Sequence, residues 1–425
     1  MIEKSNLILN KKTLIISSWA PPKIGGAQNL YNIFSNIDPS SYSILTSEQN
    51  LQGKIGKFGS KLDCEYFFYD KKTQNIIIDP ELPKNKYYYF IKKNKFIFKV
   101  IKNTISLIKF LSLGINLMIK TIKQGKKIIK DRQINLLIGL SDVETNLLST
   151  FILSKTTKTP FTLYMFDLYY KNQLNFPYNI IAKVVEPIIF KNAKHIFVTN
   201  DTTKEYYVKK YKQEEKYSII YNSVFPEEYL KSIPVNQNID KKKINIVFTG
   251  NIYWPQEASL TNLLNLIDKN NLDINITVYC PNPPANLLNK YKDSELIKFT
   301  AAQQSEMPKI QSEADILFLP FSWHTSAPDI IKTASPGKLT DYLIAGKPIL
   351  IHAPEYSFIS NYAKKNRFAE VVDEENQDKL KEAIIKIISN KEYSDQLVAN
   401  ARKIFYENHD AHINAEKLTN VINNI

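Results

Sequence analysis

Short, unbroken apolar runs that alternate with amphipathic stretches are the feature that most restricts how this chain folds. One series comprises Thr13–Trp19, Tyr42–Thr46, Tyr66–Tyr69, Leu136–Leu140, Phe161–Phe166, His195–Thr199 and Tyr217–Tyr221. A second comprises Ile244–Phe248, Ile274–Tyr279, Leu296–Phe299, Ile316–Leu319, Ile349–Ile351 and Ala369–Val372. Most of these runs lack polar alternation, which predicts strands buried on both faces. Helical patterns lie between many of them, including Gly25–Ile37 and a stretch from about Pro255 to Asn270. Strand–helix alternation of this kind calls for parallel sheets with helices on both sides. The expected class is α/β, with two Rossmann-like doubly wound domains facing a cleft and a C-terminal helix crossing back.

Between Asn222 and Lys243 the pattern lapses into polar residues, Pro226, Pro234 and a lysine triplet, which marks a linker. The expected domains are 1–222, 244–408 and a final helix, 409–425, packing back on the first. A length of 425 residues fits two domains. Cys64 and Cys280 match no metal or redox spacing, which fits a reducing compartment. The first residues show no secretory pattern, and a cytoplasmic protein is expected.

Charge is concentrated. Residues 84–132 hold fourteen Lys or Arg against one acid, Asp131, and so carry nearly all of the net +14. Tyr87, Tyr88, Tyr89, Phe90, Phe96, Phe98 and Phe110 are interleaved with them. Basic helices with aromatic and aliphatic faces suit the anionic inner face of a membrane, contacted peripherally. The longest uncharged stretch, Phe110–Ile119, is too short to span a bilayer. The plainer alternative is a pair of amphipathic helices packed on the domain with their lysines in water. Nucleic acid is not expected, because no recognised nucleic-acid module accompanies the patch.

Three strand–helix loops carry the candidate chemistry. In WAPPKIGGAQ, Trp19–Gln28, Gly25 and Gly26 allow close backbone approach to a phosphate or sugar, though simple turn chemistry explains them too. In FTGNIYWPQ, Gly250 and Asn251 follow the first strand of the second domain, where a ligand or an ordinary turn fits. In SPGKLTDYLIAGKP, Ser335–Pro348, a helix opens on Ser335, Pro336, Gly337 and Lys338, with Asp341 one turn in. Free amides, the helix dipole and Lys338 favour phosphate, and a carboxylate at Asp341 can accept bonds from ribose hydroxyls.

This last segment resembles the donor-binding region of GT-B fold glycosyltransferases, especially family 4 (group 1). Those enzymes carry two glutamates eight positions apart, before a small-residue–Gly–Lys/Thr–Pro sequence. Asp341 occupies the second acidic position; the first falls on Thr333, a departure from the pattern. FTGNIYWPQEASLTNLL and WAPPKIGGAQNLYNIF are similar to the family's other two loops, but the usual Arg and Lys after the first strand of the second domain are missing. The resemblance implies that Asp341 binds ribose, that Lys338 contacts the diphosphate, and that Thr333 stands where sugar contacts are made. It also implies transfer of a sugar from a nucleotide-diphosphate donor to a hydroxyl acceptor with retention.

Asp167 ends TLYMFD where the family often has His-Asp, and can orient or deprotonate an acceptor hydroxyl or cap a helix. Asp142 and Glu144 stand in a comparable place, with plain N-capping favoured there. Of five histidines, only His324, just before the donor segment, is expected in the cleft. Lys338, Asp167 and His324 are thus the catalytic candidates. There is no Asp-x-Asp pair and no His/Cys metal spacing, so neither a metal nor a cofactor is expected. No GxSxG occurs either, which argues against an α/β-hydrolase. The expected function is a glycosyltransferase of bacterial surface polysaccharide or glycolipid synthesis, with a sugar or lipid-linked acceptor. The rivals are a nucleotide-sugar epimerase on the same fold, a non-catalytic sugar-nucleotide-binding protein at the membrane, and a membrane or nucleic-acid binding module.

Overall fold

The computed structural model describes residues 7–22, 26–48, 60–70, 94–141, 145–172, 175–231, 243–269 and 273–425. Gly25, Asp142, Glu144, the start of the basic segment and half of the expected linker, 232–242, lie outside the described residues. The chain divides into two compact units, Met1–Ile220 with Ala415–Ile425, and Tyr221–Asn414.

The first unit is built on strands β1 (Thr13–Ile16), β2 (Tyr42–Thr46), β3 (Glu65–Phe68), β4 (Leu136–Leu140), β5 (Phe161–Met165), β6 (Ile196–Val198) and β7 (Tyr217–Ile219). They form one 7-stranded sheet in the order β3-β2-β1-β4-β5-β6-β7, and its described pairings are parallel. Alternate side chains along each strand serve opposite faces. Leu14 and Ile16 join a core with Leu117, Leu153, Ala182 and Phe190 from the helices on one side. Ile15, between them, joins the core on the other side with Leu30, Ile33, Ala415, Leu418 and Ile422. The last of these come from the final helix, Ala411–Asn423.

The second unit has strands β8 (Ile244–Thr249), β9 (Ile274–Tyr279), β10 (Ile297–Thr300), β11 (Ile316–Pro320), β12 (Ile349–His352) and β13 (Glu370–Val372). Its 6-stranded sheet runs β10-β9-β8-β11-β12-β13, again parallel. This is the Rossmann order. Its direction reverses between β8 and β11, so the crevice outside their carboxyl ends is the natural ligand position.

Two local features bear on function. The basic segment forms one continuous helix through Lys95–Lys109, a π-turn at Phe110–Gly114, and Ile115–Asp131. Phe96–Asp131 spans 36 residues with an 18-residue window of mean hydropathy 1.6, enough by length and composition to cross a bilayer. The expectation from Phe110–Ile119 counted only charge-free residues, whereas this window tolerates a pair of charges. Only 22% of the window is buried, yet Leu117, Thr121, Gly125 and Ile128 are buried at helical spacing. They hold the second half of the helix to the sheet of the first unit.

The second feature is Gly346, which follows the helix Gly337–Ile344 with φ +76°. A Cβ there would lie 2.5 Å from the Arg402 guanidinium. Gly346→Ala is therefore expected to destabilise the protein by about 1–2 kcal/mol from the left-handed backbone alone. Chemical denaturation reads this directly, and an unchanged midpoint would remove the argument.

Candidate functional site

At the switch point of the second unit, β8 ends at Thr249 and the chain turns through Gly250, with φ +98°. The helix Gly337–Ile344 starts beside this turn. A Cβ on Gly250 would meet Lys338 Cε at 3.3 Å and Nζ at 3.4 Å, so glycine lets this lysine lie against the strand end. The Lys338 ammonium sits over the Phe248 ring, 3.7 Å from its centroid. Such a cation–π contact is attractive, but it satisfies none of the three N–H donors. Nζ is buried and has no hydrogen-bond partner. Desolvation pulls the Lys338 pKa down to about 7.

Ser335 Oγ, just before the helix, is likewise buried without a partner. The helix N-cap is Pro336, which supplies no side-chain cap. Gly337 is exposed, with no atom within 4 Å of its Cβ position. Buried polar groups without partners are rare and call for an explanation. Here two of them flank an uncapped helix N-terminus, where amides and dipole favour an anion.

Asp341 faces a chain of buried polar groups. Tyr229 donates its hydroxyl proton to Asp341 Oδ1 at 2.8 Å and lies 3.2 Å from Gln311 Oε1. Gln311 Nε2 donates to Thr249 Oγ1 at 3.2 Å, and the Thr249 amide donates to the Tyr342 hydroxyl at 3.0 Å. This network ties the helix to the end of β8, so that Gly250, Lys338 and Asp341 are held together. Desolvation raises the Asp341 pKa to about 6, opposed by the Tyr229 hydrogen bond.

The other sequence candidates stand differently. Thr333 is buried and donates to Asp329 O in its own helix at 2.8 Å. Asn251 is exposed beside Gly250. His324 has an 84% exposed side chain, and its Nε2 lies 2.8 Å from Glu375 Oε2, a solvated pair rather than part of the network. In the first unit, Gly26 opens the helix Gly26–Phe34, and its Cβ position is 3.5 Å from the Phe166 ring. Phe166 and Asp167 both donate their amides to Ser141 Oγ, at 2.8 and 3.3 Å. Gly26, Ser141 and Asp167 thus gather at the carboxyl ends of β1, β4 and β5. Asp167 keeps an exposed surface, although the dense protein around it raises its carboxyl pKa by desolvation.

Sequence reasoning missed Tyr229, Gln311 and Tyr342. Tyr229 lies in the stretch read as a linker. Its adjacent acids, Glu227 and Glu228, disguise a side chain that is buried and carries a raised pKa through desolvation and the neighbouring Asp341.

Residues 232–404 match the family model of glycosyl transferases, group 1. The match falls within the second unit, Tyr221–Asn414. The match contains the whole Gly250–Lys338–Asp341 cluster. No curated protein sequence matches the chain. Among solved structures, the glycosyl transferase fold recurs in HepE of Anabaena in complex with UDP-glucose: 11% identity, TM-score 0.66, covering 98% of this chain and 100% of that one. A glycosyltransferase of Rickettsia africae is similar at 14% identity and TM-score 0.64, with 98% of each chain covered. A putative UDP-N-acetylglucosamine 2-epimerase of Listeria monocytogenes shares the fold at 10% identity and TM-score 0.57, covering 98% of this chain and 96% of that one. At such identities the likeness concerns the GT-B fold, which transferases and epimerases have in common.

Proposed function

We propose that the protein transfers a sugar from a nucleoside-diphosphate sugar to a hydroxyl acceptor, with retention and without a metal. The observation that carries this reading is the buried, unpartnered Lys338 ammonium beside an uncapped helix N-terminus, inside the group 1 domain. The diphosphate of the donor lies over the amides of Gly337 and Lys338 and draws the ammonium off the Phe248 ring. Tyr229 occupies one oxygen of Asp341 and leaves the second for a ribose hydroxyl. As the glycosidic bond to the donor breaks, negative charge grows on the leaving diphosphate, and Lys338 and the helix dipole stabilise it. The leaving phosphate accepts the acceptor's proton, and Asp167 orients the acceptor. HepE, bound to UDP-glucose, sets the precedent for the donor class.

The long basic helix holds the protein at an anionic membrane surface, where a lipid-linked or surface-polysaccharide acceptor is presented. Such acceptors fit a bacterial surface polysaccharide or glycolipid pathway.

Thermal unfolding against UDP-, GDP-, ADP- and TDP-sugars tests the donor site. A ligand at a hundred times its Kd adds about 2.7 kcal/mol. One member of the panel is therefore expected to raise the melting temperature by several degrees. A panel with no shift at millimolar concentration would sink the nucleotide-sugar reading.

A further inference from the structure

The helix Tyr178–Asn192 carries a second apolar stripe that faces water. Its inner residues Ala182, Ile189 and Phe190 are core. Its one acid, Glu186, is buried and accepts bonds from Lys210 Nζ at 2.5 Å and the Tyr211 hydroxyl at 2.7 Å. On the outer side, Ile180, Val184 and Ile188 are 53, 61 and 48% exposed. Spacing by four puts them in one row. Lys183, Pro187 and Lys191 are exposed among them. Single exposed apolar residues are ordinary, but a contiguous row signals a contact surface.

The long basic helix shares that side of the sheet. Leu117 and Ile128 from it and Ala182 and Ile189 from Tyr178–Asn192 enter the same core. The rings of Phe110 and Tyr178 meet edge-on, with centroids 5.4 Å apart. Phe96, Ile108 and Leu111 on the long helix are 77, 60 and 56% exposed. Asp131 is the one exposed acid on either helix among the described residues; the other exposed charges are lysines. Aliphatic rows edged by lysine match a bilayer interface with anionic headgroups. A purely acidic surface would leave the aliphatic rows without a chemical complement.

We propose that the Tyr178–Asn192 helix is a second membrane-contact surface, which beds Ile180, Val184 and Ile188 into an anionic bilayer interface beside the long basic helix. The proposal rests on the membrane reading of that helix and makes the contact planar. Two helices on one side of a rigid sheet lie along the interface, with the lysines at headgroup level.

Co-sedimentation of the full chain with vesicles of phosphatidylcholine, with and without phosphatidylglycerol, tests it. One variant carries Ile180→Ser, Val184→Ser and Ile188→Ser. Another carries Lys99→Gln, Lys102→Gln and Lys109→Gln on the long helix. The wild type is expected to bind the anionic vesicles. The serine variant should bind roughly tenfold or more weakly with an unchanged melting temperature, since each replaced side chain is already half in water. If the serine variant binds like the wild type while the glutamine variant does not, this proposal falls and the membrane reading of the long helix stands. If the wild type ignores vesicles, both fall. A wild-type dimer that the serine variant dissociates, with no vesicle binding, gives the stripe to self-association and overturns the proposal. No arm uses a sugar donor or acceptor, so the outcome is independent of transfer activity.

Discussion

Replacing Lys338 by methionine is expected to weaken nucleoside-diphosphate binding roughly 10- to 100-fold, the value of one or two charge-assisted hydrogen bonds. The same change should raise the melting temperature of the unliganded protein. In the free protein the ammonium is buried without a hydrogen-bond partner, and methionine fills similar space without desolvating a charge. A lysine that merely braced the fold would give the opposite sign. The pH dependence sharpens the test. Folding depresses the Lys338 pKa from its ordinary 10.5 to about 7. Between those values the unfolded chain binds more protons than the folded one, so the stability of the free protein rises with pH across that window. A bound diphosphate restores the charge, so binding takes up a proton. Nucleotide affinity should be level below about pH 7 and fall as pH rises above it, towards tenfold per unit. Calorimetry in buffers of different ionisation enthalpy reads the proton uptake directly. Affinity that ignores pH in the wild type, or matching affinities for wild type and variant, would remove Lys338 from the site.

Asp341 supports a second pair of outcomes, which separate binding from folding. Asp341→Ala removes the 2.8 Å acceptor of the buried Tyr229 hydroxyl and leaves it Gln311 Oε1 at 3.2 Å, a loss of about 1 kcal/mol in stability together with weaker nucleotide binding. Asp341→Asn keeps an oxygen for Tyr229 and so should melt close to the wild type near pH 4 and above it at neutral pH, yet still bind nucleotide several-fold more weakly through the lost charged acceptor. The carboxyl pKa is raised from 3.8 to about 6, so the folded wild type holds an extra proton in that interval. Its stability therefore falls as pH rises from about 4 to 6, and the asparagine variant should lose this slope. Wild-type nucleotide affinity in Asp341→Asn would end the ribose assignment. Wild-type melting in Asp341→Ala would show that the Tyr229 bond contributes nothing.

The strands were readable because parallel sheets covered on both faces leave a local trace. Runs such as Leu136–Leu140 and Ile274–Tyr279 become β4 and β9 at the same boundaries. The Ser335–Pro348 segment was readable for a related reason. Pro336, Gly337 and Lys338 are adjacent in the chain and start the same helix, so their spacing alone places them. What sequence could not convey was long-range. The bond from Tyr229 to Asp341 joins residues 112 apart, and no local pattern predicts it. His324 looked central because it precedes the donor segment, yet its partner is Glu375, on a loop 51 residues away. The outer row of Tyr178–Asn192 was hidden for another reason. Ile180, Val184 and Ile188 have the spacing of a core-facing stripe, and only the fold shows that Ala182 and Ile189 take that place.

The chain leaves the first unit after Ile220 and rejoins it at Ala415, so the second unit is an insertion within the first. No single cut can yield both halves intact. A fragment ending at Ile220 would lack Ala415, Leu418 and Ile422, all fully buried in the core beside β1. Exchange of the second unit between related chains needs a junction at each crossing. Disturbing the final helix is felt first far away in the chain, where Asn423 bonds the backbone of Ile8 and Asn10.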